Sequence, residues 1–207
     1  EIYDSLPPLA YTPPGSAMKL LPKTAAALRD GTPWRVVMLG DSIINDTFNG
    51  NFQALIKRSM PNSNFNWICS VRGSTGCWHY QEPENYQEYV TDLKPDLLIV
   101  GGISQKDDYE AVKKVLSITQ DQLDCEVMLL SGPFGTYEAM TKLPLFARRL
   151  EQLAEEMNIE FMDCCDIWAG YMANTDIPME YFYRDPVHAN DRGKQIIGRA
   201  MNWYFSS

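Results

Sequence analysis

Five short apolar segments recur along the chain, and the stretches between them have helical periodicity. An apolar run of this length, bounded by polar residues or glycine, is typical of a strand buried on both faces of a parallel sheet. Apolar residues at every third or fourth position between the runs predict helices that pack on that sheet. The predicted strands are Arg35–Leu39, Asn64–Cys69, Asp96–Val100, Cys125–Leu130 and Ile159–Met162.

Strands that alternate with helices form a parallel sheet covered on both faces. The predicted fold class is therefore α/β, a three-layer α/β/α sandwich with a five-stranded parallel sheet. Four prolines and a glycine in residues 1–16 predict an extended N-terminal arm. We expect residues 17–207 to form a single domain, closed by a terminal helix with Asn190 as its N-cap.

Charge and composition restrict the partners. The net charge of −9 argues against nucleic acid, because phosphate binding needs a basic surface. No stretch reaches the roughly 20 apolar residues that span a membrane. A neutral small-molecule or polysaccharide substrate fits this composition best, and oligomeric state stays open.

The cysteines leave several questions open. Their count of five is odd, so they cannot all pair within the chain, although Cys69 and Cys77 flank one loop and could do so. No CxxC or HExxH motif is present, and we expect no metal site. Since the sequence begins at Glu1 without a signal-peptide pattern, we expect it to start inside a longer precursor. Our expectation for location is secreted or periplasmic.

A serine and a distant Asp–His pair are the candidates for chemistry. Gly40-Asp41-Ser42 directly follows the first predicted strand, at the sheet edge where ligands bind in such folds. Asp185-Pro-Val-His188 lies just before the terminal helix, and Pro186 stiffens the turn between the acid and the base. A serine nucleophile needs such a base and carboxylate. Each motif alone also fits a structural role, a capping turn for Ser42 and a surface residue for His188.

Together the motifs resemble the SGNH hydrolases, also called GDSL esterases. The resemblance runs from about Arg35 to the end, and its middle blocks are matched by Gly73 and by Gly101-Gly-Ile-Ser104. It implies a flavodoxin-like sheet and a serine esterase without a cofactor, in which Ser42 attacks, His188 relays the proton and Asp185 orients His188.

The resemblance also implies an oxyanion hole formed by Ser42, Gly73 and Ser104. Family members carry an asparagine in the third block, whereas the best alignment here places Ser104 there. A shift of one residue would place Ile103 at that position instead, and Gln105 is a further amide in the same loop.

Aromatic and polar residues between Trp67 and Tyr80 suggest a carbohydrate substrate. Aromatic faces beside polar groups suit sugar rings, and the residues that we assign to substrate binding are Arg72, Trp78, His79 and Tyr80. Core packing is the alternative for each aromatic residue. The segment 181–183 could form an opposite wall. By analogy with compact family members, we expect release of acetyl groups from carbohydrate esters. A lipid esterase or thioesterase, an O-acyltransferase of the same fold and a non-catalytic glycan-binding module remain alternatives.

Overall fold

A computed structural model describes residues 6–8, 11–102, 108–133 and 143–207. Its strands are β1 (Pro33–Gly40), β2 (Asn64–Val71), β3 (Leu97–Val100), β4 (Glu126–Leu130) and β5 (Glu160–Met162). They form one sheet in the order β2-β1-β3-β4-β5, and every pairing is parallel. This is the flavodoxin-like strand order, and it confirms the predicted α/β class and all five predicted strands.

The described residues also form nine α-helices, none of which is long and apolar enough to cross a membrane. Two short 3₁₀ helices cover Thr91–Leu93 and Met179–Phe182. The α-helices are α1 (Pro22–Asp30), α2 (Ser42–Phe48), α3 (Phe52–Ser59), α4 (Cys77–Tyr80), α5 (Pro83–Tyr89), α6 (Tyr109–Gln122), α7 (Leu143–Met157), α8 (Cys164–Ala173) and α9 (Asp191–Phe205).

Two apolar cores lie on opposite faces of the sheet. Successive side chains of a strand point to opposite faces. In β1, Val36 and Met38 accordingly belong to a core with α1, α3, α8 and α9, whereas Val37 and Leu39 belong to a core with α5, α6 and α7. All four are fully buried. Helices therefore cover both faces, as the three-layer prediction requires.

The segments before α1 pack against the carboxyl-terminal part of the chain. Leu6 is buried in the first core, and the carbonyl of Pro7 accepts hydrogen bonds from the Tyr171 hydroxyl and from Arg199. The backbone N–H groups of Met18 and Leu20 donate to the buried Glu160 carboxylate on β5.

A close backbone approach fixes α9 beside the turn between α2 and α3. A Cβ atom at Gly198, in the middle of α9, would lie 2.0 Å from the Gly50 carbonyl oxygen. That distance is far below van der Waals contact, and the opposing atom is backbone that cannot rotate away. Gly198 is therefore required by packing.

We predict that Gly198→Ala destabilises the protein by about 1–3 kcal/mol, because the added methyl group must push α9 from the Gly50 turn. Urea-induced unfolding would measure this. Gly170→Ala is the matched control, since a Cβ there meets nothing within 4 Å on an exposed helical site. It should raise stability by about 0.5–1 kcal/mol. Equal stability of the two variants would contradict the packing argument.

Candidate active site

Ser42 lies where α2 begins, just after the end of β1. Asp41 has an extended backbone conformation and caps α2, its carboxylate accepting the N–H of Ile43 at 2.9 Å. Ser42 is the first residue of the helix, so its own N–H lies in the first turn, where N–H groups have no intrahelical partner. The hydroxyl and this N–H therefore occur together at the carboxyl edge of the sheet.

His188 and Asp185 reach Ser42 from the other end of the sequence. The Ser42 Oγ lies 2.8 Å from His188 Nε2, and His188 Nδ1 lies 2.9 Å from Asp185 Oδ2. With its proton on Nδ1, His188 donates to Asp185 while Nε2 accepts the Ser42 hydroxyl. The structure thus brings together the three residues that the sequence singled out, in the geometry of a serine–histidine–aspartate triad.

Asp185 is also held by its own loop. Its Oδ1 accepts the backbone N–H groups of Val187 and His188 at 2.9 and 2.8 Å. Partial desolvation raises the pKa of Asp185, but these two N–H groups and the His188 side chain outweigh that effect and lower the pKa to about 2. The carboxylate is therefore ionised throughout the physiological pH range.

The loop that carries Asp185 and His188 is closed at its base. Tyr183 and Ala189 form an isolated antiparallel bridge, and the N–H of Arg184 donates to the carbonyl of His188 at 3.0 Å. Asn190 then caps α9, its Oδ1 accepting the N–H groups of Arg192 and Gly193. The predicted N-cap is confirmed, and it places His188 just before a rigid helix.

The predicted oxyanion hole is described only in part. Gly73 is exposed and lies two residues beyond β2, whose last residue, Val71, pairs with Gly40 of β1. Gly73 and Ser42 therefore share one edge of two adjacent strands. Ser104, with Ile103 and Gln105, lies outside the described residues, so its donor role stays a prediction.

The four residues predicted to bind substrate fall into two groups. Arg72 and Trp78 are exposed, and His79 is half-buried beside Arg72, whose Nη1 lies 3.2 Å from His79 Nε2. Tyr80 is different, because its side chain is fully buried. The prediction that Tyr80 binds substrate is therefore wrong in this structure, since α4 turns Trp78 outward and Tyr80 inward.

The buried Tyr80 hydroxyl connects two loops of the candidate site. It donates to the carbonyl of Gly40 at 2.6 Å and accepts the N–H of Arg72 at 3.0 Å. Gly40 lies two residues before Ser42, and Arg72 directly precedes Gly73. The sequence reasoning missed this role, for which the position of Tyr80 in an aromatic and polar segment gave no signal.

Asp108 is a second residue that sequence reasoning missed. Its carboxylate accepts the N–H of Trp78 at 2.6 Å and so ties α4 to the start of α6. Desolvation raises the pKa of Asp108, an effect that this hydrogen bond partly offsets. The backbone of α4 that carries the exposed indole of Trp78 is thereby anchored to α6.

Metal ligands and disulfides do not shape the described part of the chain. No group of three or more His, Cys, Asp or Glu side chains in it could hold a metal ion. No disulfide joins any of the five cysteines, all of which lie in this part. Burial raises the pKa of Cys77 well above its ordinary value, with smaller contributions from Asp108 and Asp41. The possible pairing of Cys69 with Cys77 is not formed.

Known structures share this fold. No protein-family model matches the chain, and no curated protein matches its sequence. Axe2, an acetylxylan esterase from Geobacillus stearothermophilus, superimposes with a TM-score of 0.71 at 17% identity, covering 86% of this chain and 96% of Axe2. The acetyl xylan esterase AlAXEase gives a TM-score of 0.65 at 19% identity, covering 81% of this chain and 97% of that one. The chain thus has the fold of these esterases.

Variants of Axe2 offer a comparison with the triad. Its catalytic mutants replace one serine, one aspartate or one histidine by alanine. The aspartate precedes the histidine by three positions in Axe2, the spacing of Asp185 and His188 in this chain.

We predict that Tyr80→Phe lowers stability by about 0.5–1.5 kcal/mol, because the N–H of Arg72 and the carbonyl of Gly40 lose the Tyr80 hydroxyl and keep only their mutual hydrogen bond at 3.2 Å. By shifting the two loops it should also slow reaction at Ser42. Tyr86→Phe is the matched control, since it removes a buried hydroxyl bonded to Thr119 in the core between α5 and α6. Chemical unfolding and ester hydrolysis would be measured for both. A loss of activity in Tyr86→Phe equal to that in Tyr80→Phe would contradict a specific role for Tyr80.

The lowered pKa of Asp185 predicts a pH dependence of stability. A carboxylate whose pKa is lower in the folded state stabilises the fold above its unfolded value, and this contribution is lost as pH falls through the folded value. For Asp185 the window runs from about 3.8 down to about 2. The difference in Tm between wild type and Asp185→Asn should therefore be constant at neutral pH and shrink across that window. A difference that already disappears near pH 6 would contradict the assigned ionisation.

Proposed function

We propose that the protein is a serine esterase that releases acyl groups, above all acetyl groups, from carbohydrate esters. The observation that carries the proposal is the hydrogen-bonded chain from Ser42 through His188 to Asp185. The shared fold with acetylxylan esterases supports the carbohydrate ester as substrate class. Action on polysaccharide esters also fits a secreted or periplasmic location, which we include in the proposal.

Acylation begins at Ser42. Its Oγ attacks the ester carbonyl carbon while His188 Nε2 takes the hydroxyl proton, and the carbonyl electrons move onto oxygen to form a tetrahedral intermediate. When the intermediate collapses, the bond to the sugar oxygen breaks, and His188 returns the proton to that oxygen. The deacetylated sugar leaves, and the acyl group stays on Ser42.

Deacylation repeats the sequence with water. His188 Nε2 takes a proton from water, the hydroxide attacks the acyl carbon, and collapse of the second intermediate returns the proton to Ser42 Oγ. Acetate is released. Asp185 remains ionised throughout and stabilises the imidazolium form of His188 in both halves of the reaction.

The oxyanion of each intermediate needs hydrogen-bond donors. We assign this role to the backbone N–H groups of Ser42 and Gly73, which belong to adjacent strand ends. Ser104 is our proposed side-chain donor. The SGNH hydrolases, which this chain resembles, carry an asparagine amide at this position. Ser104 has a hydroxyl instead, so we expect its hydrogen bond to stabilise the oxyanion less.

Sugar recognition is assigned to the surface beside β2. Trp78 exposes half of its surface, which offers an aromatic face for a sugar ring, and its backbone is anchored by Asp108. Arg72 and His79 lie next to it and supply polar contacts to hydroxyl groups. Tyr80 takes no part in these contacts.

We predict that a fluorophosphonate probe labels Ser42 in the wild type and that peptide mapping finds the adduct there. Ser42→Ala should not be labelled, and His188→Ala should lose several orders of magnitude in kcat, because the general base is missing. His79→Ala is the matched control, since it removes the other histidine of the chain. It should mainly raise KM. Labelling of Ser42→Ala at the wild-type rate, or a greater loss of kcat in His79→Ala than in His188→Ala, would contradict these assignments.

Substrate class is tested by acetate release from a panel of acetylated glycans, with esters and thioesters of increasing chain length in parallel. Release of free acetate, with no acyl transfer to an added sugar acceptor, supports the proposed hydrolase. Preference for long chains would identify a lipid esterase or thioesterase, and acyl transfer to the acceptor would identify a transferase. Glycan binding without any turnover would identify a binding module.

A further inference from the structure

An ion pair joins the segments that carry Ser42 and His188 at a second point. Arg184 Nη1 donates to Asp46 Oδ1 at 3.0 Å. Asp46 lies four residues after Ser42 in α2, and Arg184 directly precedes Asp185. The Asp46 side chain is only 6% exposed, whereas that of Arg184 is 44% exposed. A buried acid on α2 is thus paired with an arginine that comes from the catalytic loop.

Arg184 also holds both ends of that loop. The same Nη1 atom donates to the carbonyl of Ala189 at 2.6 Å, and the backbone N–H of Arg184 donates to the carbonyl of His188 at 3.0 Å. Asp185 and His188 lie between these anchor points. The guanidinium therefore binds α2 and the far end of the loop together.

The hydrogen bonds that Asp185 makes with described residues are local to the loop. Asp185 binds Val187 and His188, which orients the imidazole inside the loop but does not fix the loop relative to α2. Between the two segments lies a small cavity lined by Ile43, Asp46 and Thr47 of α2 and by Val187 and Ala189 of the loop. The ion pair is thus a charged link across this boundary, in addition to the Ser42–His188 hydrogen bond.

We propose that the Arg184–Asp46 pair is a positioning device that holds His188 Nε2 within hydrogen-bonding distance of Ser42 Oγ. The proposal rests on the proposed esterase function. A single hydrogen bond between α2 and the loop would let the loop rotate about that bond. The Ser42–His188 hydrogen bond and the ion pair together oppose this rotation. Since a displacement of about 1 Å can cost ~10²-fold in rate, such a constraint matters for catalysis.

The environment of Asp46 makes the choice of variants important. Its second oxygen, Oδ2, is buried without a hydrogen-bond partner among the described residues. Removing Arg184 alone would leave this carboxylate buried and uncompensated, which destabilises a protein whatever its catalytic role. Asp46→Asn, Arg184→Gln and the double variant separate the two effects, because the double variant contains no unpaired charge at this place.

The experiment measures fluorophosphonate labelling of Ser42, kcat and KM for an acetyl ester, and Tm, all on the full chain. Each single variant should label and turn over about tenfold to a hundredfold more slowly than wild type, with KM nearly unchanged. The double variant should lose no more than Arg184→Gln alone, because Arg184→Gln already removes the guanidinium from both Asp46 and Ala189. Arg184→Lys keeps the charge and a donor and should recover much of the rate.

A matched control is available at the opposite edge of the sheet. Lys23 and Asp124 form an exposed ion pair at 2.7 Å near the start of β4. Lys23→Gln should leave labelling, kcat and KM at wild-type values.

Three outcomes would overturn the proposal in distinguishable ways. If wild-type protein is not labelled at Ser42 and releases no acetate, the proposed function fails and the positioning role falls with it. If wild type is active, the positioning role alone is overturned by variants of Asp46 and Arg184 that lose Tm but keep the wild-type labelling rate and kcat. Losses in the two single variants that multiply in the double variant would also overturn it, because the residues would then act independently.

Discussion

The candidate site depends on how closely the backbone leaving β1 approaches the backbone leaving β3. A Cβ at Gly40 would lie 2.3 Å from the Gly101 carbonyl oxygen, and a Cβ at Gly102 would lie 2.6 Å from the Asp41 carboxylate. Gly102 also has a φ of +116°, which side chains rarely adopt. Because glycine has no side chain, the turn that carries Ser42 can pack directly against the end of β3. The turn lies between β1 and β3, where the strand order reverses and open α/β sheets bind their ligands.

A nucleophile fixed in this way still needs partners from a distant part of the sequence. The loop with Asp185 and His188 is attached to α9, and α9 packs against α3 and the Gly50 turn. The helix that follows the nucleophile and the helix that follows the base thus share one layer of the sandwich. Packing on one face of the sheet brings His188 to Ser42 although 146 positions separate them.

The sequence predicted the parts of the structure that depend on local pattern. The central strands β1, β3 and β4 contain apolar runs that are buried along most of their length, and the edge strands β2 and β5 contain shorter apolar stretches, so all five could be recognised. The cap at Asn190 depends on a side chain beside its own helix. Ser42, Asp185 and His188 could be found because each belongs to a short motif with a chemical reason for its spacing. A helical pattern was recognised only in the segments of α6, α7 and α9, so α1 to α5 and α8 were not individually predicted. Their packing includes contacts with the rest of the chain that have no local sequence pattern.

The residues that sequence reasoning misplaced or missed act through distant partners. The sequence suggested that Tyr80 and Trp78 belong to one aromatic surface. They are two positions apart in α4, and the helix directs their side chains to nearly opposite sides. The Tyr80 hydroxyl donates to a carbonyl 40 positions away in the sequence, and Arg184 pairs with Asp46, which is 138 positions away. No periodicity in one sequence reports such pairs. The fold could therefore be predicted from the sequence pattern, whereas the hydrogen bonds and the ion pair that position the site residues could not.

The hydrogen bonds around Asp185 bear on how the proposed reaction keeps its proton on histidine. Desolvation raises the pKa of the Asp185 carboxyl, but two peptide N–H groups and the His188 side chain together outweigh it and lower the pKa to about 2. A carboxylate with so low a pKa is a poor acceptor of the proton on Nδ1, so the proton taken from Ser42 stays on the imidazole. His188 can then return it from Nε2 to the leaving sugar oxygen. The local fold of the Asp185 loop thus gives the acid a purely electrostatic and orienting role, which is the role that a triad requires.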